Sequence, residues 1–276
     1  PDNYKPLPVV LSKAKGVWVW DVSEKKYLDM MSGYSAVSHG HAHPVLLKTF
    51  HDQSSRLSLT SRAFYTDTLG PYLETITQMT GFEMALPMNS GAEAVETAIK
   101  SSRRWAYRTK KVEENKAEII VAEGNFHGRT TTIISFSTDE NSRKDFGPHT
   151  PGFVAVEYGS SKAIEDAITS NTAAVIIEPI QGEGGIIVPP DNYLNEVRAI
   201  CTKHNVLMIL DEIQSGLGRT GKLFAYQHSC GQCSCGENSC DVQPAGLILG
   251  KALGGGFMPV SVFLSSEEVL SWMDPG

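Results

Sequence analysis

The chain has few cysteines, no long apolar run and no excess of positive charge, and each lack removes a class of protein. Five cysteines in 276 residues, four of them packed between Cys230 and Cys240, are not the spread framework of a disulfide-held secreted domain. No apolar stretch nears the roughly 20 residues that cross a bilayer, and the first residues lack the charged-then-apolar order of a secretory leader. A net charge of −7 leaves no basic stripe to follow a phosphodiester backbone, so nucleic acid is not an expected partner. What is left is a globular intracellular protein with no membrane partner, of the cytoplasm or the mitochondrial matrix alike. Its hydrophobic content of 41% is enough for a large core.

Residues 16–31 alternate as Val17-Trp18-Val19-Trp20-Asp21 and Lys26-Tyr27-Leu28-Asp29-Met30 about Ser23-Glu24-Lys25, which predicts a β-hairpin in a small peripheral sheet. From about residue 44 helices and short apolar runs take turns, the pattern of an α/β domain with a mainly parallel sheet. The division expected is therefore 1–43 as an N-terminal segment and 44–276 as a large domain. Short, largely apolar runs at Ala117–Ala122, Ala173–Ile177, Val206–Leu210 and Ala245–Leu249 suit strands buried on both faces, although period alone also allows a short buried helix. Amphipathic helices are predicted at Gly91–Tyr107 and Tyr193–His204. The stretch at about 229–240, rich in Cys, Gly, Ser and Asn, reads as an insertion between two elements.

Ligands of open α/β sheets bind beyond the carboxyl ends of the strands, so the residues after these runs carry the chemistry. Asp211 ends one run. A buried carboxylate needs a cation, and a protonated ring nitrogen is one candidate; a cap on the following turn is the plainer alternative. Lys251 follows another run and precedes Gly254-Gly255-Gly256. A desolvated, neutral amine there can attack an aldehyde, while a solvated rim lysine explains the residue equally well. Ser90, Gly91 and Ala92 open a helix whose first amides suit a phosphate or an ordinary cap. Phe126 offers a ring to stack on or to fill core, and Arg129 offers a fork for a carboxylate or a surface charge.

Taken jointly, Asn89-Ser-Gly-Ala-Glu-Ala94, Asn125-Phe-His-Gly-Arg-Thr130, Glu178-Pro-Ile-Gln-Gly-Glu183, Asp211-Glu-Ile-Gln-Ser-Gly216 and Gly250-Lys-Ala-Leu-Gly-Gly-Gly256 stand in an order and spacing that resemble the class III, fold type I, pyridoxal-phosphate-dependent aminotransferases. The resemblance covers nearly the whole chain. It implies Lys251 as the Schiff-base lysine and proton carrier, Asp211 on the pyridinium nitrogen, Gln214 near the ring hydroxyl and Phe126 stacked on the ring. Ser90, Gly91 and Ala92 would hold the phosphate, and Arg129 the substrate α-carboxylate.

The N-terminal third, through Asn3-Tyr4-Lys5-Pro6-Leu7-Pro8, Ser32-Gly33-Tyr34-Ser35-Ala36-Val37 and Leu59-Thr-Ser-Arg-Ala-Phe-Tyr65, is similar to the ornithine-using branch of that family. This implies transfer of the δ-amino group of L-ornithine to 2-oxoglutarate, with Tyr4 and Tyr34 shaping the ornithine pocket. Glu183 would pair with an arginine from a C-terminal small domain beyond Gly276, and residues 1–43 would belong to that small α+β domain. A homodimer or higher homo-oligomer is implied, because a threonine of a neighbouring subunit reaches the phosphate in this family.

His127 departs from the Trp frequent in the ornithine branch and matches the N-acetylornithine branch. The alternative donor is thus N-acetylornithine or another ω-amino acid. A racemase or aminomutase, or a non-catalytic truncated fragment, is the alternative of another class. Cys230, Cys233, Cys235 and Cys240 read as a solvated loop, a redox-sensitive disulfide or a loose thiolate site, and His39-Gly-His41-Ala-His43 as a turn into a helix rather than a metal tract. No metal is expected.

Overall fold

The four largely apolar runs become the centre of a seven-stranded sheet. The computed structural model describes residues 5–230 and 242–273. In chain order the elements are β1 (Leu11–Lys15), β2 (Trp18–Asp21), β3 (Lys26–Leu28), α1 (Pro44–Arg56), α2 (Leu69–Thr80), β4 (Met84–Met88), α3 (Gly91–Trp105), β5 (Glu118–Ala122), α4 (Thr131–Ile134), α5 (Glu140–Arg143), β6 (Phe153–Val156), α6 (Ser161–Ala167), β7 (Thr172–Ile177), α7 (Tyr193–Lys203), β8 (Leu207–Asp211), β9 (Gly246–Leu249), β10 (Ser261–Ser265) and α8 (Glu267–Leu270). The large sheet has the order β4-β10-β9-β8-β7-β5-β6. Strands β6, β5, β7, β8 and β9 pair in parallel, and β10 runs against both β9 and β4. The fold is α/β with a mixed, mostly parallel sheet.

Every residue of β7, β8, β9 and β10 is buried, because helices cover both faces. Side chains alternate across a strand, so Ile119, Val121, Ala174, Ile176, Ile209, Ile248 and Phe263 form one core with Ala94, Val95, Ala98, Ile99 and Trp105 of α3. The intervening residues Ile120, Val175, Ile177, Met208, Leu210, Leu247 and Leu249 form the other with Ile76 of α2 and Leu194, Val197 and Cys201 of α7. Full burial of one such side chain stabilises by about 1.5–3 kcal/mol, so the sheet position of each strand is strongly specified. The predicted helices are present, except that the first ends at Trp105 and continues as a π turn over Ala106–Lys110.

The N-terminal hairpin is the β2–β3 pair, with Trp18 opposite Leu28 and Trp20 opposite Lys26. It has a third strand that the pattern did not announce: β1 pairs antiparallel to β2. Lys26 lies over the Trp18 ring, 3.8 Å from its centroid, a cation–π contact that fastens β3 to β2. The histidine tract is a turn, with Gly40 at φ +83°, His41 Nε2 2.7 Å from Asp29 and His43 at the N-cap of α1. Among the described residues no cluster of His, Cys, Asp and Glu is arranged to hold a metal, and no helix is long and apolar enough to cross a membrane. Cys201 is a buried free thiol, whereas Cys230 is buried and disulfide-bonded. Cys233, Cys235 and Cys240 lie outside the described residues.

Candidate active site

Parallel pairing brings the ends of β5, β7, β8 and β9 to one edge of the sheet, and the loops that follow them meet there. Asp211 is the last residue of β8 and only 4% exposed. Its Oδ1 accepts the Ile213 amide at 3.0 Å, and its Oδ2 lies 2.7 Å from His127 Nδ1. One oxygen thus caps the turn after β8, and the other has the His127 ring as its partner. Burial opposes a charge on the His127 ring, but the hydrogen bond and charge of Asp211, with Glu178 nearby, prevail and hold it above the usual imidazole range. Its Nε2 has no hydrogen-bond partner among the described residues.

His127 was not among the candidate site residues, and the sequence carried one signal for it. A carboxylate ending a fully apolar strand requires a cation, and His127 is the buried titratable base in the loop after β5. The two residues meet because β7 alone separates β5 from β8 in the sheet.

Lys251 follows β9 in a 3-10 turn, at φ +44°, a left-handed conformation that few non-glycine residues adopt. Burial lowers its pKa and outweighs the opposite pull of Glu183, Asp211 and Glu178, which favours the neutral amine. Its Nζ lies 6.0 Å from the centroid of the Tyr34 ring. Glu178 itself is pushed up to about 7, first by burial and also by Asp211, with His127 opposing. The carboxylate of Glu178 holds the loops in place by accepting the Phe126 amide at 3.1 Å and the Gly182 amide at 3.4 Å.

One cavity of about 190 Å³ gathers Lys251, Asp211, Gln214, Phe126, Gly91 and Ala92. Its walls are tight where glycine is required: a Cβ on Gly91 would stand 2.8 Å from Ile213 Cδ1, and one on Gly182 would stand 1.7 Å from Gln214 Oε1. Gly91 and Ala92 open α3, where helix geometry leaves the first amides without acceptors. Ser90 takes the cap role that its place before α3 suggested. It caps α3 within a capping box, its Oγ accepting the Glu93 amide at 3.3 Å and its own amide donating to Glu93 at 2.7 Å. It faces an adjoining cleft of about 370 Å³ that Lys251 and Gly91 also line.

Arg129 and Glu183 sit together with Phe126 on a further cleft of about 410 Å³. The Arg129 guanidinium carbon is 5.8 Å from the centroid of the Phe126 ring, and Glu183 Oε1 accepts from Gln214 Nε2 at 3.3 Å. Tyr4 lies outside the described residues. A larger open groove of about 450 Å³ exists at the opposite edge of the sheet, near Trp105 and Arg198. Trp105 Nε1 there donates to Glu268, and the groove lacks the convergent amine and carboxylate of the smaller cavity.

The arrangement suits a flat ring with an anionic tail. Such a ring would lie between Phe126 and Ile213, with the tail at the start of α3, the carboxylate of Asp211 at one side and the amine of Lys251 within the same enclosure. The family model that describes aminotransferase class-III matches residues 1–276. Curated relatives include the ornithine aminotransferase of Brevibacillus brevis, 55% identical over 99% of this chain and 66% of its own length. That of Bacillus cereus strain Q1 is 52% identical over 100% of this chain and 67% of its own length. Among solved structures, ornithine aminotransferase from Toxoplasma gondii ME49 matches with a TM-score of 0.94 at 42% identity, and acetylornithine aminotransferase from Elizabethkingia anophelis with 0.85 at 45%. Each match covers 100% of this chain and 63% of the other. The chain thus spans about two thirds of the length of these proteins.

Proposed function

Because the chain belongs to the class-III aminotransferase family, we propose that it forms the cofactor-binding core of a pyridoxal-phosphate enzyme that transfers the δ-amino group of L-ornithine to 2-oxoglutarate, giving glutamate semialdehyde and glutamate. The observation that carries this is the meeting of Lys251 and Asp211, from the tips of two strands, in one cavity. The fit of the cofactor is supported by the space that Gly91 and Gly182 leave and by the donor set around it. When bound, pyridoxal phosphate supplies an aldehyde and an electron sink.

The residues supply the rest. Gly91 and Ala92, with Ser90 at the cap, bind the phosphate at the positive end of α3. Phe126 and Ile213 would hold the ring, and Gln214 would meet its hydroxyl. Asp211, held by His127, would be the carboxylate that faces the ring nitrogen. The Nζ of Lys251, whose neutral form burial favours, would hold the cofactor at its aldehyde until the substrate amine replaces it, and would then move a proton from the substrate carbon to the cofactor's former aldehyde carbon. Arg129 takes the substrate α-carboxylate, and Tyr34 borders the space for the ornithine chain. Glu183, beside Gln214 in the same region, pairs with an arginine from outside this chain. Residues 1–43 join a small domain, and the enzyme works as a homodimer or larger homo-oligomer.

His127 favours a second reading, N-acetylornithine or another ω-amino acid as donor. Turnover of ornithine, acetylornithine and 4-aminobutyrate by the full-length protein separates the two. The test of the core assignment is borohydride reduction followed by peptide mass spectrometry, which is expected to fix the cofactor to Lys251. A cofactor absorbance unchanged in Lys251→Ala, or fixation at another lysine, removes the assignment.

A further inference from the structure

Helix α3 faces the site with more than its first turn. The Thr130 hydroxyl donates to Glu96 Oε1 while accepting the Ile133 amide at 3.3 Å as the cap of α4. Two residues earlier, Gly128, at φ +126°, approaches α3 so closely that a Cβ there would stand 3.0 Å from Ala92 Cβ. Ala92 and Glu96 are four residues apart, so they share a face of the helix at a rise of about 6 Å. Gly128 and Thr130 are two apart on a stretch that is neither helix nor turn, a span of nearly 7 Å when extended. The spacings match. The loop lies along α3 with both contacts made, and the residue between them is turned the other way: Gly128 and Thr130 are half-buried, whereas Arg129 is exposed and lines the cleft with Phe126 and Glu183.

We propose that Glu96 is a positioning residue for Arg129, acting through the Thr130 hydroxyl. The proposal rests on the reading of Arg129 as the group that binds the substrate carboxylate. Helix α3 then sets two anchors on one rigid frame, the phosphate amides at its start and, one turn on, the fastening that aims the arginine. With that fastening cut, Thr130 keeps its cap role, but the segment after His127 keeps only the Gly128 contact with α3, and the Arg129 side chain is aimed less firmly when a carboxylate binds.

The experiment uses the full-length, cofactor-loaded protein and glutarate, a dicarboxylate that has no carbonyl to react, titrated by calorimetry. Glu96→Ala and Thr130→Val are expected to weaken glutarate by about tenfold, the worth of one hydrogen bond to a charged group, and the double variant to be no weaker than either. Glu96→Gln keeps an acceptor and Thr130→Ser keeps the donor, so both are expected to stay within about twofold of the parent on the same reasoning. Pyridoxal phosphate affinity, read by absorbance titration, is expected to be unaffected throughout. Parent-like glutarate binding by Glu96→Ala or Thr130→Val overturns the proposal, as does a Glu96→Gln variant as weak as Glu96→Ala. Arg129→Ala separates the two levels: if it leaves glutarate binding unchanged, the carboxylate assignment fails and the proposal with it, whereas a weakened Arg129→Ala beside an unaffected Glu96→Ala sinks the proposal alone. The Thr130 pair carries the test if Glu96→Ala does not fold.

Discussion

Glu212 offers a measurement in which the burial of one carboxyl can be read directly as stability. It is 1% exposed, and its oxygens accept the amides of Ala225 at 2.7 Å and Tyr226 at 2.8 Å, with the Ser215 hydroxyl at 3.4 Å. Burial, only partly offset by those bonds and reinforced by the charge of Asp211, pushes it up to about 7 from 4.5. Between those two values the native state holds a proton that the unfolded chain has released. The contribution to stability is therefore complete below pH 4.5 and lost as the pH rises through 7, and at about 1.4 kcal/mol per pH unit the loss is about 3 kcal/mol. In Glu212→Gln the side chain stays neutral at every pH. The carboxamide has one accepting oxygen where the carboxyl has two, so the variant carries a fixed loss of about 1–3 kcal/mol at every pH; beyond that offset, between pH 5 and 8.5 the parent is expected to fall by about 2.5 kcal/mol relative to the variant. Denaturant unfolding followed by tryptophan fluorescence, from pH 5 to 8.5, reads the difference, and the titrations of Glu178 and His127 cancel because both proteins share them. A difference that does not change with pH, or a parent that gains on the variant as pH rises, refutes the reasoning.

Two further outcomes follow from glycine and core geometry. In Gly182→Ala the new Cβ displaces the Gln214 carboxamide, 1.7 Å away, and breaks its 3.3 Å bond to Glu183. Since only a side-chain end moves, fold stability is expected to change by less than about 1 kcal/mol while pyridoxal phosphate affinity falls by about tenfold; equilibrium dialysis showing parent-like affinity contradicts this. Phe263 is fully buried in β10 and lies across Gly246, where a Cβ would stand 2.8 Å from its ring. Phe263→Ala is expected to cost about 3–5 kcal/mol, seen as a lowered denaturant midpoint at unchanged slope.

The legible parts of this fold are those whose burial is written in consecutive residues. Ala173–Ile177 and Val206–Leu210 read as strands because both faces are covered, and the loops after them could be searched for chemistry before any contact was known. β4 and β10 were not read. β4 contains Pro87, which lies at the sheet edge opposite Val262, where a missing amide is tolerated, and β10 is bracketed by Ser261 and Ser265 and runs against its neighbours. β1 is mostly exposed, so it carries no burial signal and owes its conformation to pairing with β2. Lys251, Asp211, Gln214, Phe126, Gly91 and Ala92 line one cavity, and Ser90, the cap of α3, lines the adjoining cleft with Gly91 and Lys251. The His127–Asp211 pair could not be read from spacing, since 84 positions separate the two residues and only the strand order joins them.

Ile213 shows why the separate motifs form one site. It follows Asp211 and Glu212, and its amide binds the Asp211 carboxylate at 3.0 Å. Its side chain is approached from two sides by backbone that has no Cβ: one added at Gly91 would stand 2.8 Å from Ile213 Cδ1, and one at Gly250 would stand 3.2 Å from Ile213 Cγ2. Gly91 opens the helix whose amides suit the phosphate, and Gly250 immediately precedes Lys251. A side chain at either glycine would force Ile213 to shift, and with it the floor of the cavity on which the ring would rest. Lys251 pays for the same closeness in its left-handed backbone, a strain of about 1 kcal/mol or more that the surrounding packing must hold. The two glycines and the strained lysine are thus parts of one steric arrangement, in which three loops from different strands close around a single isoleucine and fix where an amine and a carboxylate can face each other.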